Sequence, residues 1–166
     1  MDRLIFVVTI LAALGTALLA GNFFAFSAYL MKALARLSAE RGIVAMQTIT
    51  TAIKSLVFLV LFFGTAVLCA VLSVAALFHW PKAGAGYLLA GSLFYLIGTF
   101  PVTMMRNVPI NNELMAATPD AQDARDFWRR YQASWGLWNH VRTVTALAAC
   151  MLLILALAQM GNPFAG

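Results

Sequence analysis

Apolar residues fall along this chain in four long runs, parted by short stretches in which charges, prolines and glycines collect. A helix needs about 20 apolar residues to cross a hydrocarbon core, so each run predicts a membrane-spanning helix. The first run occupies residues 4–31, and its only strongly polar interruption is Asn22. Met1-Asp-Arg3 ahead of an apolar stretch resembles a signal peptide, with Ala20-Gly21 as the cleavage point. The run continues through Phe23, Phe24, Phe26 and Leu30, however, and predicts a retained helix. The second helix is predicted to start at Ser38, an N-cap with Glu40 in the first turn, and to run unbroken to about residue 78, with 55–78 as its span. The third span is 85–105, kinked by Pro101. Pro109 is expected to push Val108 out of helical geometry into an extended or turning piece. Thr118-Pro119-Asp120 reads as the start of the last helix, 119–160, stopped by Gly161 and Pro163. At about 1.5 Å per residue that helix would be about 60 Å long, twice a hydrocarbon core. Its span proper is 139–160, and the rest either protrudes or is bent at Gly136.

Composition agrees with this pattern. Hydrophobic residues make up 63 % of the chain and charged residues 10 %, too few charges to cover a water-facing surface. The short connections suit an antiparallel four-helix bundle. The expected fold is therefore all-α: one integral membrane domain, residues 1–166, with helices extended into the cytoplasm. The net charge of +5 sits in the loops, with no nucleic-acid-binding module around it. Lys32, Arg36 and Arg41 lie in the first connection, and Arg106, Arg125, Arg129 and Arg130 in or beside the third. Arg3 and Lys82 lie on the other side. The positive-inside rule then places the first and third connections in the cytoplasm and both termini outside. Cys69 and Cys150 each lie inside an apolar run without a CxxC, so neither a redox pair nor a cysteine metal site is expected. His79 and His140 fall on opposite membrane faces, about 30 Å apart, and cannot share an ion. The acids all lie at helix ends or in loops, which argues against a proton-coupled carrier with a midplane carboxylate.

Candidate chemistry concentrates in residues 127–143. At about 100° per residue, Trp128, Tyr131, Trp135, Trp138, Asn139 and Arg142 share about a third of the helix circumference, with His140 about 100° from Asn139. Gln47, Thr51 and Lys54 share one face of the second helix. That face, the segment 107–111 and Tyr29 with Asn22 all reach the same end of the bundle. Unpaired polar groups in hydrocarbon are costly, so these should meet inside the bundle. Such a cluster either fixes helix register or forms a site. Glu113 is the one acid near Arg142: if it pairs with the guanidinium, the arrangement is structural, and if not, the charge is free for a ligand oxyanion. The tryptophans alone could equally form an interfacial belt.

Asn107-Val-Pro-Ile-Asn111 and Trp128-x-x-Tyr131-x-x-x-Trp135-x-x-Trp138-Asn139-His140-Val-Arg142-Thr143 resemble the anthrone oxygenase family. Gly21-Asn-Phe-Phe-Ala-Phe-Ser27, Met31, Ala33-Leu-Ala-Arg-Leu37 and Met46-Gln47 are similar to it too. The sequence departs from the family pattern at Lys32, where a proline is expected, and at Thr48-Ile-Thr50, where an Ile-Asn pair is expected. The resemblance implies O2-dependent oxidation of a flat, lipophilic polycyclic phenol without metal, flavin or other cofactor. Arg142 would stabilise an oxyanion, and Asn107, Asn111 and Asn139 would hold carbonyl or phenol oxygens. Trp135 and Trp138 would stack on the rings, with Tyr131, Trp128, Gln47 and Tyr29 completing the substrate wall. His140 is the titrating candidate base, although the helical wheel places it off the stripe. The implied partners are the lipid bilayer, an aromatic small molecule and O2. The competing reading is a non-enzymatic bundle that binds a lipophilic ligand or a membrane protein.

Overall fold

The computed structural model describes residues 3–161, which leaves Asp2 and the helix stop assigned to Pro163 outside the described residues. Five helices account for almost all of it: α1 (Arg3–Leu34), α2 (Ala39–Ala52), α3 (Leu56–Phe78), α4 (Ala85–Ala116) and α5 (Ala124–Met160). Four of them, all but α2, are long and apolar enough to cross a membrane. Their backbones pack in the cyclic order α1, α3, α4, α5, each antiparallel to both neighbours. The described chain ends thus lie together at one end of the bundle, and α2 lies at the other.

Two packed regions divide the molecule. Within the spans, Leu19, Phe23, Phe62, Leu72, Leu88, Tyr95 and Leu153 interdigitate with alanines of α1 and α5. Lipid is as apolar as these side chains, so close approach and interhelical hydrogen bonds hold such helices together more than burial does. Gly98 shows the principle: a Cβ there would lie 2.6 Å from a Thr145 methyl, and next to it the Thr99 and Thr145 hydroxyls meet at 2.9 Å. Beyond the spans, α1, α4 and α5 overshoot the bilayer thickness and α2 closes over them. Ile43, Met46, Leu114, Trp128, Tyr131 and Trp135 form this second core, the head.

Several boundaries depart from the sequence reading. The second helix is two helices, because residues 53–55 form an elbow and Ser55, at φ −67° and ψ 150°, caps α3 by accepting from the Phe58 N–H at 3.3 Å. Ser38 does sit at the N-cap of α2 with Glu40 in its first turn, but its side chain makes no capping bond. Val108 is helical at φ −64° and ψ −48°, against the expectation drawn from Pro109. The reason lies one turn earlier. Residues Phe94–Thr99 and Thr103–Asn107 are π-helical, and Pro101 and Pro109 each follow two residues after one of these wider turns. A π turn shifts the bonding by one residue and makes room for a ring that has no N–H to give. The third span accordingly continues past 105 to Ala116. The last helix begins at Ala124 rather than 119, runs straight through Gly136 and ends before Gly161, whose φ is 68°. At 37 residues it is about 55 Å long and protrudes well beyond a hydrocarbon core.

The head is seated by one close contact. Gly42 of α2 lies against the Trp128 indole of α5, and a Cβ at Gly42 would come within 2.7 Å of it. Gln47 then ties the other side of α2 to the end of α4, donating to the Leu114 and Ala117 carbonyls at 2.9 and 3.0 Å. Gly42→Leu is expected to cost about 1–3 kcal/mol through overpacking, read as a lower thermal unfolding midpoint in detergent. An unchanged midpoint would show that α2 is not held by this contact.

Candidate functional site

Arg142 lies in the span of α5, 6 % exposed, yet no carboxylate among the described residues pairs with it. Glu113 is exposed at the head and does not pair with Arg142, so of the two alternatives the guanidinium charge is the one left free. Instead the guanidinium lies between two aromatic faces, its Cζ 4.2 Å from the Phe23 centroid and 5.0 Å from that of Trp135. Such cation–π contacts stabilise a desolvated cation by about 2 kcal/mol. Its Nε donates to Asn139 Oδ1 at 3.0 Å, and among the described residues its other two nitrogens have no hydrogen-bond acceptor.

Asn139 makes this arrangement rigid. Its Nδ2 donates to the Phe23 carbonyl at 2.9 Å and to Ser27 Oγ at 2.7 Å, which fixes its oxygen toward Arg142. Ser27 in turn meets Thr143 at 3.2 Å. Both acceptors for Asn139 stand on α1 around the start of its π-helical stretch, Phe26–Leu30.

A cavity of about 300 Å³ opens on the guanidinium, at the lower end of the range for small-molecule pockets. It lies where the spans meet the head, bordered by all five helices, and Arg142, Trp135, Asn107, Asn111, Thr50 and Phe62 are among its lining residues. The lining is mostly apolar, but three of its polar atoms are buried without a partner: Asn107 Oδ1, Thr50 Oγ1 and Trp135 Nε1. Buried polar groups in folded proteins are almost always paired; among the described residues Asn22 Nδ2, Ser92 Oγ, Trp128 Nε1 and Gln132 Nε2 are also without a partner, away from this cavity. Asn107 is oriented by its own amide, since Nδ2 donates to the Trp135 carbonyl at 3.3 Å and Oδ1 is left without a partner. Asn111 Oδ1 accepts from the Tyr131 hydroxyl at 3.1 Å.

The structure thus brings Arg142, Trp135, Asn107 and Asn111 to one cavity, with Asn139 directly behind Arg142. Tyr131 and Trp128 stand behind the wall, stacked on each other at 5.5 Å between centroids. Trp138 is turned outward and half-buried, with Arg106 over its ring at 4.7 Å. His140 is exposed and borders a separate groove with Lys32 and Gln132. Gln47 serves the head clamp, and Tyr29 is 59 % exposed on the outside of α1. Thr50, Phe58, Phe62 and Thr103 also line the cavity; of these the sequence marks only Thr50, through the departure from the family pattern at Thr48-Ile-Thr50. Thr48, Thr50 and Thr51 look alike in the sequence; only their positions around α2 separate Thr50, which is buried, from its exposed neighbours.

Fold and site together define an all-α, multi-pass membrane protein whose four spans enclose an unpaired cation beside an apolar, orphan-lined cavity. A family model described as "Anthrone oxygenase" matches residues 56–152, more than half of the chain, and the chain belongs to that family. The match runs from the first residue of α3 into the last third of α5 and includes Asn107, Asn111, Trp135, Asn139 and Arg142. No curated protein and no solved structure matches the chain.

Proposed function

We propose that the protein oxidises a flat, lipophilic, enolisable phenol with O2, and that Arg142 carries the chemistry by stabilising the oxyanion of the enolate. The observation behind this reading is the buried guanidinium without a counter-ion at the edge of an apolar cavity. Two of its nitrogens await an acceptor, and a charge in such a place is worth far more than in water. An enolate of this type can pass one electron to O2 without help. The resulting carbon radical and superoxide combine to form the C–O bond. For a substrate with a reactive methylene, both methylene hydrogens leave in one water molecule, which carries one oxygen atom of O2. The other oxygen becomes the new carbonyl, so the electrons come from the substrate itself. Asn107 Oδ1 would accept from a ring hydroxyl, and the Trp135 Nε1–H and the Thr50 hydroxyl would meet further oxygens. Phe26, Phe58 and Phe62 supply apolar surface for the rings, and the apolar walls exclude water from the reacting anion. His140 takes no part in this scheme, because it lies outside the cavity.

Purified protein in detergent, given an anthrone as probe under 18O2, tests the reading. One labelled oxygen should appear in the product, at a rate above that of uncatalysed autoxidation. A probe that binds, by quenching of tryptophan fluorescence, but is not turned over would instead favour a non-enzymatic ligand-binding bundle.

The orientation is proposed on the same footing. Arg36, Arg41, Arg106, Arg125, Arg129 and Arg130 all stand at the head, so the head belongs in the cytoplasm and the ends of the chain outside. A reporter active only in the cytoplasm, fused behind α5, should stay silent; a strong reporter signal reverses the assignment.

A further inference from the structure

The walls of the cavity are unequal. Its roof is closed: α2 lies across the head, pinned by Gln47 to α4 and by Gly42 to Trp128. Its floor is an aromatic plug in which Phe62 stacks on Phe100 at 5.2 Å and Phe63 meets the same ring edge-on at 5.7 Å. Just below, the Tyr95 hydroxyl donates to the Phe62 carbonyl at 2.8 Å and locks α4 to α3. Above that lock the two helices part. Backbone packing of α3 on α4 is concentrated in the stretch from Ala85 to Thr99, and past Phe100 α4 leans mainly on α5. The cavity fills the resulting gap. The lining side chains at its outer edge are apolar and turned outward in the spans themselves: Leu59 is 40 % exposed, Phe63 44 % and Met104 39 %. Lys54, exposed at the elbow, is the charged residue at its upper rim.

We infer that the ligand reaches this cavity sideways from the hydrocarbon of the bilayer, through the gap between α3 and α4 framed by Leu59, Phe63 and Met104. The ligand is therefore a molecule dissolved in the membrane, not one drawn from water. A gap lined this way costs nothing to leave open to acyl chains, whereas an aqueous mouth would need polar groups, which Leu59, Phe63 and Met104 do not supply. The route also sets the orientation of the ligand. Its apolar edge trails toward lipid, and its polar edge advances to Arg142 and Trp135 on α5, across the cavity from the gap. The inference concerns access alone and holds whatever reaction the cavity hosts.

Tryptophan quenching tests it without any turnover. In a Trp80→Phe, Trp138→Phe protein the outward tryptophans are gone, leaving Trp135 in the cavity and Trp128 packed in the head. Reconstituted in phosphatidylcholine brominated midway along the acyl chain, this protein should lose the Trp135 part of its emission, because bromine quenches at contact. Water-borne acrylamide should quench far less. Adding Leu59→Phe and Met104→Phe, both at exposed positions that tolerate bulk, should plug the gap and restore the emission. Quenching by acrylamide but not by bromolipid would overturn the inference in favour of an aqueous mouth. Quenching by neither would mean a closed cavity, and bromolipid quenching that survives the plug would mean another route; either result overturns it as well.

Discussion

Arg142→Lys should leave the fold intact and cut turnover about a hundredfold or more, the scale of losing one oxyanion donor from a preorganised site. Lysine keeps the charge but loses the planar fork. Here that matters twice. The guanidinium is flat between Phe23 and Trp135, and its Nε uses Asn139 while the remaining nitrogens point elsewhere. An ammonium has neither the face for the rings nor fixed directions for two acceptors. Oxygen uptake with an anthrone probe, set beside the thermal midpoint of the same preparation, separates lost chemistry from lost structure. A lysine variant as active as the parent protein would reduce Arg142 to an anchor for α5.

Asn139→Leu should act on structure and site together. Leucine keeps the branching and heavy-atom count of asparagine and is somewhat bulkier, so no cavity is created. The variant nevertheless removes both bonds from Nδ2 to α1 and strips the buried Arg142 Nε of its acceptor. Uncompensated buried donors cost about 1–3 kcal/mol each, more when charged, although hydrogen bonds between membrane helices average nearer 0.6 kcal/mol. A loss of about 3 kcal/mol is the expected sum, seen as a lower unfolding midpoint and as turnover that falls even in the fraction still folded. If activity per folded molecule stays at the parent level, Asn139 is a helix tie and not an orienting group for the guanidinium.

The features that the sequence reveals are those carried by long unbroken periods. Four spans follow from the length of the apolar runs alone. Arg142, Asn139 and Trp135 share a face in the structure because α5 is one uninterrupted α-helix, so a simple wheel is valid along all of it. Trp138 lies at the edge of the same wheel, and there a contact with Arg106 on α4 decides its direction, which the pattern of one helix cannot show. The elbow at residues 53–55 was hidden for a similar reason: Ser55 is a good cap, but it sits between two stretches that each read as helix. The wall formed by α4 was the least legible. Nothing local in Phe94–Thr99 or Thr103–Asn107 marks a π turn, and the prolines nearby suggested a break where the chain instead widens and continues.

Those two wide turns act as phase buffers for everything downstream. A π turn holds one residue more than the α-helical geometry around it, and one residue corresponds to about 100° of rotation. Removing a single residue from Thr103–Asn107 would let that turn relax to a regular pitch and leave Asn111, together with the clamp partners Leu114 and Ala117, facing nearly as before. Drawing the same residues into a regular α-helix without a deletion would instead swing that wall about 100° round the axis. On α5 the spacing from Trp128 to Arg142 is set by an uninterrupted rise, with no wide turn to take up a lost residue. One side of the cavity is thus a fixed ruler, and the other carries slack that can take up a single residue.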